Sequence, residues 1–191
     1  MRKTTLIVLL FICSSSLSHA QFFKQVRTNT NDSFDDSLTQ VVSVFKTNYY
    51  PIQGKQLTSQ GLVDVYQSNV GVPGASHCII QRYHSEEDTS ASWQAIMYEG
   101  ESFEEAVKIY RTIYKTLKKA KIKNGATSIF SFTGDLEEPN ESVRFTVSPL
   151  KLNTPEDAYK YFYAEVEITS NYDGWEVHLN LHSKKNDNEQ Y

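Results

Sequence analysis

Two rhythms of apolar and polar residues run along this chain. The clearest is helical. Ala106, Tyr110, Ile113, Leu117 and Ala120 recur at steps of four, three, four and three, which places them on one stripe of a helix. Val107 and Tyr114 widen that stripe. Ser102-Phe103-Glu104-Glu105 stands at its start. A serine can accept from the amide three positions on, while the acidic residue there reaches back, so this is a capping box. Glutamates cluster at the beginning and lysines towards the end, which complements the helix dipole. Gly125 is the expected stop. A first helix, about 34–50, is predicted from Ser33-Phe34-Asp35-Asp36 and ends at Pro51, since a proline disfavours helix in the residue before it.

The second rhythm has period two. Val143, Phe145 and Val147 alternate with Ser142, Arg144 and Thr146. Phe162, Ala164, Val166 and Ile168 alternate with Tyr161, Tyr163, Glu165 and Glu167. Trp175, Val177, Leu179 and Leu181 alternate with Glu176, His178, Asn180 and His182. Such alternation predicts antiparallel strands with one face on a core and one towards water. Strands are expected at 62–67, 77–83, 93–99, 127–132, 143–148, 161–168 and 175–182. Asp173-Gly174 suits the positive φ of a tight hairpin turn.

The two capping boxes lie 69 positions apart (33 and 102), and Val44-Phe45-Lys46-Thr47 falls on Ile113-Tyr114-Lys115-Thr116 at the same offset. An internal duplication is therefore expected, αβββ followed by αββββ, in halves 33–100 and 101–182. The fold class predicted is α+β: an antiparallel sheet of about seven strands, with two helices packed on one face, forming a single domain over 33–182.

The first twenty residues have a different character. Arg2 and Lys3 precede an apolar run from Leu6 to Cys13, and Ser18-His19-Ala20 puts small residues before Gln21. That order predicts a signal peptide cleaved between Ala20 and Gln21, and a secreted or periplasmic destination. Residues 21–32 read as a polar leader and 183–191 as a charged, mobile tail. Processing would change the composition. It would take 191 residues to 171, leave 17 basic against 23 acidic side chains, and leave Cys78 as the only cysteine. A chain of net charge −6 lacks the basic face that a nucleic-acid binder needs. No apolar stretch is long enough for a membrane-spanning helix after cleavage. A lone thiol forms no internal disulfide, so the core alone must hold the fold.

Candidate chemistry is sparse. His178 and His182 would be metal-sharing neighbours on a helix, but on a strand they stand about 13 Å apart, beyond the reach of one zinc ion. Cys78, followed by Ile79 and Ile80, reads as a buried thiol. The acidic runs 86–88 and 135–141 lack the spacing of a calcium loop and read as solvated hairpin tips. No P-loop, nucleophile elbow or paired-histidine helix motif occurs, so no catalytic, cofactor-binding or metal-ligating residue is assigned. Asn31 and Asn140 lie in sequons.

Tyrosine carries more. Tyr161 and Tyr163 share a predicted strand face with Glu165, and tyrosine combines a large apolar body with a polar tip. The expectation is an exported, non-catalytic domain that recognises a partner protein or glycan through Tyr161, Tyr163 and Glu165. The alternatives are a small extracytoplasmic hydrolase and a chaperone-like assembly protein that forms a homodimer through its sheet.

Overall fold

A computed structural model describes residues 33–85, 89–125 and 128–184. The predicted signal peptide, its cleavage point, the polar leader with Asn31, the 86–88 acidic run and most of the predicted tail lie outside the described residues.

Helix α1 spans Phe34–Ser43. The Ser33 hydroxyl accepts from the Asp36 amide at 3.2 Å and donates to the Asp36 carboxylate at 2.8 Å, which satisfies an amide that the first turn leaves unpaired. The helix is shorter than the predicted 34–50. Two single 3-10 turns, Phe45–Thr47 and Tyr50–Ile52, replace its second half. Between them Asn48 and Tyr49 take φ of 55° and 60°, the left-handed region that a bulky residue seldom adopts. The reversal sends Tyr49 into the core, where its hydroxyl donates to the Leu181 carbonyl at 2.9 Å.

Helix α2 spans Phe103–Lys119, capped by Ser102 Oγ, which accepts from the Glu105 amide at 3.2 Å. It buries the predicted stripe of Ala106, Val107, Tyr110, Ile113, Tyr114 and Leu117. It stops at Ala120 rather than at Gly125, because the chain turns extended there, with ψ of 143°, and enters a strand directly.

Nine strands follow the chain order: β1 Gln53–Gln60, β2 Val63–Ser68, β3 His77–Tyr83, β4 Ala91–Gly100, β5 Ile122–Asn124, β6 Ser128–Thr133, β7 Phe145–Asn153, β8 Phe162–Asn171 and β9 Gly174–Ser183. They form one sheet in the order β1-β2-β3-β4-β9-β8-β7-β6-β5, and every pair is antiparallel. The α+β class stands, with nine strands in place of seven. The two additional strands give no period-two signal: β1 is largely polar (QGKQLTSQ) and β5 has three residues. The strand order mirrors about the β4–β9 pair when β5 is set aside. The helices do not follow that mirror, since α2 lies across β4, β6, β8 and β9 while α1 lies along β5. The duplication is therefore not established by the fold.

Both helices bury their stripes in a single core with the inward rows of the sheet, among them Ile80, Trp93, Leu150, Phe162, Val166 and Leu179. Full burial contributes about 1.5–3 kcal/mol for each large aliphatic side chain. The buried hydroxyls and indole of Tyr110, Ser148 and Trp93 are matched. The Tyr110 hydroxyl meets Ser148 Oγ at 2.5 Å and the Glu137 carbonyl at 3.1 Å, and Ser148 Oγ accepts from the Glu137 amide at 2.8 Å. The Trp93 indole donates to Ser68 Oγ at 3.0 Å. No helix among the described residues is long and apolar enough to cross a membrane.

Replacing Tyr110 with Phe keeps the ring but removes the hydroxyl that donates to the Glu137 carbonyl and bonds Ser148 Oγ. The expected loss is about 1–2 kcal/mol of unfolding free energy, read as a lower denaturant midpoint at unchanged slope.

Candidate functional site

The residues that alternate with the core rows make up the second face of the sheet. Strand register lines them up across the molecule: Gln67, Ile79, Gln94, Asn180, Glu165 and Pro149 stand in one row from β2 to β7. His77, Ile96, His178, Glu167 and Val147 form the adjacent row. Ile96 is buried yet belongs to no part of the helix-covered core, so its neighbours on this face cover it.

Polar groups in these rows bond one another. Gln94 Nε2 donates to Asn180 Oδ1 at 2.9 Å, and Asn180 Nδ2 donates to Glu167 Oε2 at 3.0 Å. The carboxylate at one end fixes the direction of both amides, because it only accepts. His178 Nε2 lies 2.8 Å from Glu176 Oε2, and Glu176 also accepts from Asn171. His182 Nε2 lies 3.0 Å from Glu165 Oε2, and Lys184 Nζ lies 3.4 Å from the other oxygen of Glu165.

The geometry of the Glu165 pair favours its charged form. His182 Nδ1 meets the Ser183 carbonyl at 3.2 Å. A carbonyl only accepts, so Nδ1 carries a hydrogen, and the carboxylate claims a second from Nε2. Burial opposes this imidazolium, but the hydrogen bond and charge of Glu165 outweigh it and hold His182 above its ordinary range. In return, the hydrogen bond from His182 keeps Glu165 below the usual carboxylate range against the effect of burial. A depression of about 260 Å³ beside the pair is lined by Tyr83, Ser90, Ser92 and His182. Serine, histidine and glutamate together resemble a nucleophile, base and orienting acid. A base, however, needs a free nitrogen facing the hydroxyl, and both nitrogens of His182 are engaged. The arrangement holds charge rather than relaying a proton.

Tyr163 lies half-buried in β8, opposite His182 on one side and Lys151 on the other. Tyr161 sits one residue before β8 begins, with its hydroxyl accepting from Lys160 Nζ at 3.2 Å and the same ammonium 4.9 Å from its ring centre. Glu165 is drawn into the ion pair, its side chain 13% exposed, so this end of the face is less openly acidic than the sequence suggests. Phe145, Val147 and Pro149 of β7 continue the face beyond these residues, and Phe145 is 63% exposed. The alternation in 143–148 marked Phe145 as an inward residue. The strand instead begins at Phe145 and runs to Asn153, with Ser148, Leu150 and Leu152 inward, so the core parity is set by the later residues. No group of three metal-ligating side chains stands together among the described residues.

Cys78 lies on the core side of β3, and burial pushes its thiol up to about 11. In the run 135–141, Glu138 pairs with Arg111 of α2 at 2.6 Å.

No protein-family model matches this chain, and neither does any curated protein or solved structure.

Two outcomes follow from these charges. The contribution of His182 is complete below the ring's unfolded value near 6.5 and fades as pH rises through its higher folded value. That of Glu165 is complete above the carboxyl's unfolded value near 4.5 and fades as pH falls through its lower folded value. The His182→Gln variant should therefore lose about 1–2 kcal/mol between pH 5 and 6.5 and much less at pH 9. An equal loss at pH 9, measured by urea titration, would count against the charged pair. For Cys78, native alkylation by iodoacetamide at pH 8 should run on the order of 100-fold slower than in denaturant, following the thiolate fraction.

Proposed function

We propose that this protein is an exported, non-catalytic recognition domain that binds a partner protein or glycan through the sheet face opposite the helices, with Tyr161, Tyr163 and Glu165 at one end of it. The observation that carries this reading is the internally bonded polar rows of that face. Covering a polar surface costs most where a group loses water and gains nothing. Gln94, Asn180, Glu167, Glu176, His178, His182 and Glu165 keep their partners when water leaves. Half-buried Val65, Ile79 and Val147 lie among them, and exposed Phe145 supplies an apolar anchor. A polar ground with apolar and aromatic anchors is the usual anatomy of a recognition surface. The Tyr163 ring adds a platform suited to a sugar ring or an apolar side chain.

A second reading, assembly through the sheet, is favoured by β1. This edge strand of eight residues is mostly exposed, and an open edge can accept another strand. Light scattering at increasing concentration separates a constant monomer mass from a dimer.

The recognition reading is tested by comparing face variants with a helix-side control in glycan-array and cross-linking capture. Tyr161→Ala with Tyr163→Ala, and separately Phe145→Ser, should each weaken capture by roughly tenfold or more, as expected for anchors contributing above about 1.4 kcal/mol. Lys115→Glu on α2 should leave it unchanged. Equal capture by all four proteins, each shown to be folded, overturns the assignment.

A further inference from the structure

The inward row of β3 runs Cys78, Ile80, Arg82. The first two positions face the core as the alternation demands. The third places a guanidinium where an aliphatic side chain is expected, and Arg82 is only 8% exposed. Its surroundings are unusual for a buried cation. Nε and Nη2 both donate to Gln53 Oε1, at 3.2 and 2.7 Å, and Nη2 donates to the Asn48 carbonyl at 2.8 Å. These acceptors are neutral. Asp64, its register partner on β2, turns its carboxylate to Gln56 at 3.1 Å and to His84 at 3.4 Å instead. Nη1 is out of contact with solvent and has no hydrogen-bond partner among the described residues.

Among the described residues no carboxylate pairs with Arg82, and two physical costs remain that the Tyr50 ring offsets only in part. A buried charge without a counter-ion is strongly unfavourable, and so is a buried donor without an acceptor. One oxyanion placed against Nη1 answers both. The cover over the guanidinium is an aromatic ring on the surface: Tyr50 lies 3.8 Å from Arg82 Cζ and is itself 61% exposed. Moving that ring is a side-chain motion rather than an opening of the core. The ring belongs to a short 3-10 turn held by the left-handed pair Asn48 and Tyr49, and Asn48 bonds both Arg82 and the β4 strand through the Ala91 amide at 3.3 Å.

We propose that Arg82 is the centre of a small-oxyanion site, closed by Tyr50, which takes the carboxylate or phosphate group of a ligand onto Nη1. The site lies on the core side of the sheet, near its β1 end, and is separate from the recognition face of the preceding section. A guanidinium suits such a ligand because hydrogen bonds from a cation to an oxyanion are strong, and Nη1 keeps its N–H donors to offer.

The experiment is thermal unfolding of the full chain at pH 7 in chloride, sodium phosphate and sodium acetate at matched ionic strength. It is run on wild type and on Arg82→Met, which fills the position with an unbranched apolar side chain. The expected result is a wild-type Tm higher by roughly 3–8 °C in 50 mM of at least one oxyanion than in chloride, as a site of about 1 mM affinity gives. Arg82→Met should show no such rise, and its Tm in chloride should match or exceed that of wild type. A response to phosphate alone assigns a phosphate-bearing ligand, and one to acetate alone a carboxylate. If the wild-type Tm is the same in all three salts, or rises equally in Arg82→Met, the proposal is overturned. Should the variant fail to fold, the wild type decides alone: the Arg82 Nε–H resonance must move in a saturable way on titration with phosphate or acetate, and a stationary resonance overturns the site.

Discussion

The fold depends on the pairing of β4 with β9. Each is the last strand of its own meander, and their register runs from Trp93 against Leu181 to Gly100 against Trp175, with an irregularity between Ile96 and Tyr98. Without this seam the chain would be two smaller sheets, each with an exposed inner edge. With it, two rows continue across the join, one inward and one outward. Trp93, Ala95, Leu179 and Leu181 are all buried on the helix side, while Gln94 and Asn180 bond on the other. The seam joins residues 75 to 88 positions apart, so its entropy cost is met only after α2 has crossed from β4 to the far edge. Local hairpins gain from short loops, but β4–β9 relies on the core it completes.

Legibility of the structure in the sequence followed the strength of one-sided burial. Helix α2 and strands β3, β8 and β9 were readable because each has one face on the core and one off it, so their residues alternate or stripe. Strand β1 was not, since most of its side chains are exposed and its place in the sheet comes from backbone bonds to β2. Strand β5 was hidden by its length. Helix α1 was overextended because its end was placed by Pro51 alone, whereas the left-handed backbone at Asn48 and Tyr49 accompanies tertiary contacts such as the Tyr49 bond to Leu181. The Ser148 side chain shows the same limit: a polar residue sits in the core because Tyr110, thirty-eight positions away, brings its hydroxyl to it.

Of the site, the faces of Tyr163, Glu165 and the β9 histidines could be read from alternation, but their pairing could not. Glu165 and His182 meet diagonally across two strands, and that geometry depends on register. Arg82 was visible in principle as an inward-parity cation in HCIIQRY. The missing ingredient was the lack of a counter-ion among the described residues, a property of the folded neighbourhood rather than of spacing. Buried charge is informative for this reason: a core tolerates many apolar sequences, but a guanidinium that no described carboxylate pairs with carries a cost that neutral acceptors and one aromatic ring offset only in part.

The two edges of the sheet complete the argument, because they are handled differently. At β5 the outward amides of Lys121 and Lys123 donate to Asp35 and to Thr39 Oγ1 at 3.1 and 3.2 Å, and Lys123 Nζ pairs with Asp36 at 2.8 Å. Helix α1 thus supplies side-chain acceptors where a tenth strand would supply carbonyls, and this edge is closed to extension. At β1 no helix among the described residues does the same. The strand carries two register irregularities against β2, between Gln53 and Gln56 and between Gln56 and Thr58, and such irregularities twist an edge away from a flat partner. A strand added at β1 would have to follow that twist. Such a match is within reach of a flexible extended peptide, and demands more of a second rigid sheet.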